Sequence, residues 1–182
     1  MILSINGWPG VGKRTVGIAL CELLNGKLLD NHTLINPAKA LADYGTAEYY
    51  QIVRAVREIA FEAVVSLPPE MAVVLTNVIA TGGPNDFARE HWDAIRALAT
   101  KRGSLLYSVT IECNAPEQAR RIVSTERKLF RKMGDIEAIT ILRQRRALFD
   151  NGADFRLAIN NTEMTPDACA SEIKEWVRDI QP

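Results

Sequence analysis

Apolar residues gather along the chain in short runs that are separated by longer segments of mixed character. Short apolar runs are typical of strands buried on both faces of a sheet. We predict strands at residues 2–5, 27–29, 72–79, 105–112 and 155–159. Between them, helical patterns cover about 13–25, 46–66, 86–102, 116–125, 135–149 and 166–180. This alternation predicts an α/β protein whose parallel sheet carries helices on both faces.

Length and charge narrow the class of protein. The chain has 182 residues, without internal repeats or a long linker, so we expect one domain spanning residues 1–182. Lys and Arg number 22 and Asp and Glu number 22, and this balance argues against broad electrostatic binding to nucleic acid or an acidic membrane. Three cysteines without a CxxC pair fit a reducing compartment. With no signal peptide recognisable at the N-terminus, we expect a cytoplasmic protein.

A glycine-rich segment follows the first predicted strand and opens the first predicted helix. Its backbone N–H groups can form a cup for phosphate at the helix N-terminus, and Lys13 can reach the β- and γ-phosphates. Thr15 can hold Mg²⁺, although the strict motif has Ser or Thr where this chain has Arg14. The alternative is a chance glycine-rich turn. The residues expected to contact ATP here are Gly7, Trp8, Pro9, Gly10, Val11, Gly12, Lys13, Arg14 and Thr15.

The spacing Gly-x-Pro-Gly-x-Gly-Lys-x-Thr resembles adenylate-kinase-type loops. The chain is similar to P-loop small-molecule and nucleotide kinases: adenylate kinase, shikimate kinase, resistance proteins for tunicamycin and chloramphenicol, and uncharacterised bacterial AAA-type ATP-binding proteins. The resemblance implies a three-layer α/β/α P-loop NTPase fold with a five-stranded parallel sheet in the order 2-3-1-4-5 and a small helical lid. It also implies ATP and Mg²⁺ as cofactors and transfer of the γ-phosphoryl group to a small, hydroxyl-bearing acceptor.

The second predicted strand ends in Asp30, Asn31 and His32. Ligands bind at the carboxyl ends of strands in open α/β sheets, so Asp30 is a candidate base or, through water, a candidate Mg²⁺ ligand. The alternative is that Asp30 or Asn31 only caps the next turn. His32 is either a substrate contact or a surface histidine.

Two arginines on the following helix are candidate clamps for an anionic substrate, Arg54 and Arg57. The alternative is an exposed, salt-bridged helix face, because Arg54 and Glu58 are four residues apart.

The third predicted strand ends in Thr76 and Asn77, where many P-loop kinases have an acidic residue that organises Mg²⁺. Thr76 and Asn77 are candidate substrate contacts. Together with Arg14, the missing acid leaves a second hypothesis open: a nucleotide-binding protein with a degenerate Mg²⁺ site and little transfer activity.

Residues 120–146 contain nine basic and three acidic side chains, a local charge of +6. In P-loop kinases a lid lies in this part of the chain, and the resemblance implies a lid at about residues 124–136. It makes Arg121 the candidate adenine contact and Arg127 or Arg131 the candidate γ-phosphate contact. The alternatives are a solvated basic face or a nucleic-acid site, and the latter lacks interleaved aromatic residues.

The loop after the fifth strand borders the adenine in such kinases. Asn161 and Thr162 are therefore candidate contacts with the base, unless they only form a turn before the last helix.

Overall fold

The computed structural model describes residues 1–83, 85–123 and 135–180. Its strands are β1 (Ile2–Asn6), β2 (Lys27–Leu29), β3 (Val73–Thr76), β4 (Leu106–Glu112) and β5 (Phe155–Asn160). Its helices are α1 (Lys13–Leu24), α2 (Asn31–Leu41), α3 (Ala47–Val65), α4 (Phe87–Lys101), α5 (Ala115–Ile122), α6 (Ile136–Arg145) and α7 (Pro166–Ile180). None of the helices in these ranges is long and apolar enough to cross a membrane.

The strands form one parallel sheet in the order β2-β3-β1-β4-β5, which confirms the predicted fold class and strand order. Alternate residues of a strand point to opposite faces of the sheet. Leu3 and Ile5 of β1 therefore pack with α1 and α7, whereas Ile2 packs with Trp92 and Ile95 of α4. Helices cover both faces, so the central strands β1 and β3 bury every residue, including the polar Ser4, Asn6 and Thr76.

Helix α2 is absent from the sequence prediction. Its capping signal is local: the Asp30 side chain accepts a hydrogen bond from the backbone N–H of His32. Pro37 lies inside the helix and Asn residues stand near its start, and both features weaken the helical pattern. Helices α2 and α3 pack together around a third core, separate from the two that cover the sheet and centred on Ala38, Tyr49, Tyr50 and Val53.

Candidate active site

The loop between β1 and α1 is the glycine-rich segment that the sequence singles out. Gly10 (φ 97°) and Gly12 (φ 94°) have left-handed backbone angles that favour glycine. Lys13, the first residue of α1, donates from Nζ to the carbonyl oxygens of Gly7 (2.6 Å) and Trp8 (3.0 Å). The lysine ammonium thus lies against the loop at the N-terminus of α1, where a phosphate is attracted.

Asn6, at the end of β1, ties the loop to its surroundings. Its Oδ1 accepts the backbone N–H groups of Gly7 (2.9 Å) and Ile79 (2.8 Å). Its Nδ2 donates to the carbonyl oxygens of Ile79 (3.0 Å) and Phe149 (3.3 Å). The buried amide therefore fixes three chain segments at one point. Sequence reasoning missed Asn6, because only the fold brings its partners together.

Asp30 lies at the carboxyl end of β2 and is 9% exposed. Its Oδ1 accepts a hydrogen bond from Thr76 Oγ1 (2.6 Å), and its Oδ2 accepts one from the backbone N–H of His32 (3.2 Å). The hydroxyl of Thr76 in turn accepts the backbone N–H of Asn31 (3.0 Å). The carboxylate is held in one orientation by these bonds. Asp30 both caps α2 and lines the cavity described below.

Asn77 turns away from that cavity. It is 2% exposed, donates from Nδ2 to Ser4 Oγ (3.0 Å), and lies with Oδ1 3.0 Å from Nε2 of His91. Asn77 directly follows β3 and its backbone N–H still donates to Ile5 of β1, so the alternation of the strand continues and turns it away from its neighbour Thr76, which lines the cavity.

Arg54 and Arg57 both bind Glu90 of α4. Arg54 contacts the carboxylate through Nε (2.9 and 3.0 Å) and Nη2 (2.7 Å), and Arg57 contacts it through Nη2 (2.7 Å). The hydrogen bonds from Arg54 and then Arg57 lower the pKa of Glu90 to about 2. The alternative interpretation of the sequence pairs Arg54 with Glu58 on an exposed helix face. Instead α3 turns this arginine towards α4, and neither arginine is among the described residues that line the cavity.

Arg121 of α5 is locked against the glycine-rich loop. Its Nε donates to Glu117 (2.6 Å), its Nη1 to the carbonyl of Val11 (3.2 Å) and to Asn161 Oδ1 (3.0 Å), and its Nη2 to the carbonyl of Asn161 (3.0 Å). Asn161 also donates from Nδ2 to Val11 O (2.9 Å). The predicted adenine contacts Arg121 and Asn161 therefore lie together, beside Gly12.

Two predicted lid residues, Arg127 and Arg131, lie outside the described residues, as does most of the predicted lid at 124–136. Their roles and the one-domain organisation stay predictions. Thr162 is described: its hydroxyl accepts the backbone N–H of Asn114 (2.9 Å), and its side chain lines the cavity.

A cavity of about 1550 Å³ runs along the carboxyl ends of β1, β2, β3 and β5. One end, called the nucleotide end after the predicted ATP contacts, is lined by Trp8, Pro9, Gly10, Gly12, Lys13, Arg14, Thr15, Arg121, Asn161 and Thr162. The other, called the acceptor end after the predicted substrate contacts, lies beyond Asp30, His32 and Thr76, between α2, α3 and α4. Trp8 borders the cavity while remaining 4% exposed, so it is largely a core residue. The cavity brings Lys13 and Asp30 into one site.

Five aromatic side chains, here called the aromatic cluster, line the acceptor end: Tyr44, Tyr49, Tyr50, Phe87 and His91. Neighbouring ring centroids lie 4.8–5.9 Å apart, and the rings of Phe87 and His91 are nearly parallel. Burial, and next the charge of Arg57, lower the pKa of His91 to about 4, so the ring is neutral near pH 7. Sequence reasoning missed the cluster, whose members come from three segments.

Within the described part of the chain, no three His, Cys, Asp or Glu side chains converge as a metal site. Mg²⁺ in kinases uses few protein ligands, because water and substrate phosphates complete its octahedron. One hydroxyl (Thr15) and one carboxylate (Asp30) bordering the same cavity fit that requirement.

No family model and no curated protein matches the sequence. The structure does resemble solved ones. Shikimate kinase from Bacteroides thetaiotaomicron is 17% identical, with 98% of each chain covered and a TM-score of 0.61. The APS kinase of Mycobacterium tuberculosis, solved with AMPPNP and APS, is 15% identical, with 97% of this chain and 96% of that one covered and a TM-score of 0.61. The tunicamycin resistance protein of Deinococcus radiodurans is 14% identical, with 97% and 94% covered and a TM-score of 0.59.

These likenesses establish the fold of the chain, which is that of P-loop kinases, as the resemblance in the sequence implied. At 14–17% identity they leave the substrate open.

Proposed function

We propose that the chain is an ATP-dependent kinase that transfers the γ-phosphoryl group to a hydroxyl of a small molecule. The observation that carries this proposal is the shared cavity, in which the loop lysine Lys13 and the carboxylate of Asp30 border the same space. The kinase fold of its structural neighbours supports the same function.

In the proposed reaction, the loop N–H groups and Lys13 bind the phosphates of ATP, and the locked guanidinium of Arg121 with Asn161 borders the adenine. The acceptor oxygen forms a bond to the γ-phosphorus as the bond to the β–γ bridging oxygen breaks. The acceptor's proton passes to Asp30, and ADP leaves. Thr76 keeps the Asp30 oxygen in place. Arg127 and Arg131 are the proposed partners of the γ-phosphate.

Mg²⁺, where bound, would neutralise part of the phosphate charge. Thr15 would hold it, or Asp30 would do so through water. A second candidate function is nucleotide binding with little transfer. It is favoured by Arg14, which borders the cavity at the position where the strict motif has the metal-binding hydroxyl, and by the absence of a carboxylate at the end of β3.

The test compares wild type with Asp30→Asn and with Asp93→Asn, an exposed carboxylate on α4 outside the cavity lining. ³¹P spectroscopy would follow transfer from ATP over a panel of hydroxyl compounds. We expect transfer by wild type and Asp93→Asn, and a loss of about 100-fold or more in Asp30→Asn, the usual scale of general-base catalysis. Full activity in Asp30→Asn would overturn the role of Asp30. Tight, Mg²⁺-independent ATP binding without transfer would favour the second candidate.

A further inference from the structure

Five aromatic side chains contribute to the lining of the acceptor end of the cavity. From the loop before α3 and its first turn come Tyr44, Tyr49 and Tyr50, and from α4 come Phe87 and His91. Tyr50 and Phe87, on different helices, lie 4.8 Å apart between centroids. Aromatic surfaces attract flat rings through stacking and through the area they bury.

The phenol groups add hydrogen-bonding capacity to this surface. Tyr44, Tyr49 and Tyr50 each carry a phenol hydroxyl, which can donate one hydrogen bond and accept others. Burial raises the pKa of Tyr49 to about 12 and raises that of Tyr44, so both remain uncharged hydroxyls at neutral pH. An uncharged hydroxyl can donate to or accept from the edge of a heteroaromatic ring.

The ion pairs of α3 argue against the prediction that its arginines bind an anionic substrate. Arg54 and Arg57 are already bound to Glu90, and Arg57 is 7% exposed. Among the described residues, the cations that border this end are Lys39 of α2 and Arg146, which directly follows α6. An acceptor that carries a ring and at most one phosphate group would fit beside these two cations.

We infer, on the basis of the proposed function, that the acceptor is a hydroxyl compound with a planar heteroaromatic ring, of the nucleoside class. Its ring stacks against Phe87 and Tyr44, the half-buried and the exposed member of the aromatic cluster, and its hydroxyl is directed towards Asp30. The cluster thereby selects the acceptor, whereas Lys13 and Asp30 serve the transfer itself.

The experiment measures transfer from ATP to three sets of acceptors: nucleosides, nucleoside monophosphates, and saturated polyols such as glycerol and inositol. We expect transfer to nucleosides or to nucleoside monophosphates. Comparison of these two sets shows whether the site recognises the ring alone or the ring together with its phosphate. Transfer to polyols alone would overturn the inference and leave the proposed function intact. Absence of ATP binding would instead reject the proposed function. If ATP binds but no transfer occurs, each ring compound is titrated by calorimetry into the protein loaded with a non-hydrolysable ATP analogue. Failure of every ring compound to bind would overturn the inference.

Variants locate the ring. Phe87→Leu should raise the KM for the ring acceptor about tenfold with little change in kcat, because stacking acts in the ground and transition states alike. Phe87→Tyr keeps an aromatic ring at this position and should keep the KM near its wild-type value. Tyr44→Leu changes a side chain that is 76% exposed and should fold normally, so it provides a second variant with the same expected direction. Phe155→Leu, on β5 and away from this cavity, is the control. Unchanged KM in both Phe87→Leu and Tyr44→Leu would contradict the inference.

Discussion

Glu90 links α3 to α4, and its replacement by Gln tests whether Arg54 and Arg57 are structural. The carboxylate accepts four hydrogen bonds of 2.7–3.0 Å from the two arginines. Removing one partner of a buried pair costs about 3–5 kcal/mol. Glu90 is 36% exposed and Gln keeps one acceptor oxygen, so we discount this to about 2 kcal/mol. For a chain of this length, that lowers Tm by about 4–8 °C.

The pH dependence sharpens the same prediction. The folded-state pKa of Glu90 is about 2, below its ordinary 4.5. The pair's stabilisation is therefore complete above about pH 4.5 and is lost as the pH falls towards 2. The difference between wild type and Glu90→Gln, measured by urea unfolding, should be largest at pH 7 and shrink by pH 3. Glu58→Gln, four residues from Arg54 and exposed, is the control and should change stability by less than about 0.5 kcal/mol. Equal losses in the two variants would refute the reasoning.

Three further predictions concern single residues. The pKa of His91 is lowered to about 4, so the free energy of unfolding should fall by up to about 1.4 kcal/mol per pH unit between pH 6.5 and 4. His91→Phe should flatten that slope in urea titrations, and an unchanged slope would show that His91 is not the group that titrates. Gly10→Ala should cost more stability than Gly45→Ala, because both glycines have positive φ but only at Gly10 would a Cβ lie 2.7 Å from Ile122; equal thermal shifts would count against this. Asn6→Ala should cost about 3 kcal/mol or more, since it strands several buried backbone groups, and a urea-unfolding loss below about 1 kcal/mol would show that the other contacts suffice.

The sheet was predictable because burial on both faces leaves a direct mark on sequence. The predicted strand at residues 2–5 is apolar except at Ser4, and the register places Ile2 and Leu3, which point to opposite faces, beside Val73 and Val74. Helix α2 was not predictable in this way. Its start depends on the side chain of Asp30, and the sequence left open whether that residue caps a turn or serves chemistry. In the structure one carboxylate caps the helix and borders the cavity.

The candidate site was predictable where one segment carries the chemistry. The glycine-rich loop and Lys13 are contiguous, so spacing alone identified them. The aromatic cluster and Asn6 join residues that are distant along the chain, and no local pattern distinguishes such residues from core. At Arg54 a local pattern was misleading. Helical spacing favours an ion pair with Glu58, whereas the packing of α3 on α4 supplies Glu90 as the partner.

The central claim, that the glycine-rich loop binds the phosphates of ATP, is tested most directly by titration calorimetry of ATP into wild type, Lys13→Ala and Lys174→Ala. Lys174 is an exposed lysine of α7 outside the cavity lining and serves as the matched control. We predict that wild type and Lys174→Ala bind ATP alike, and that Lys13→Ala binds at least about tenfold more weakly, a loss of about 1.4 kcal/mol. Equal affinity in all three proteins would contradict the account.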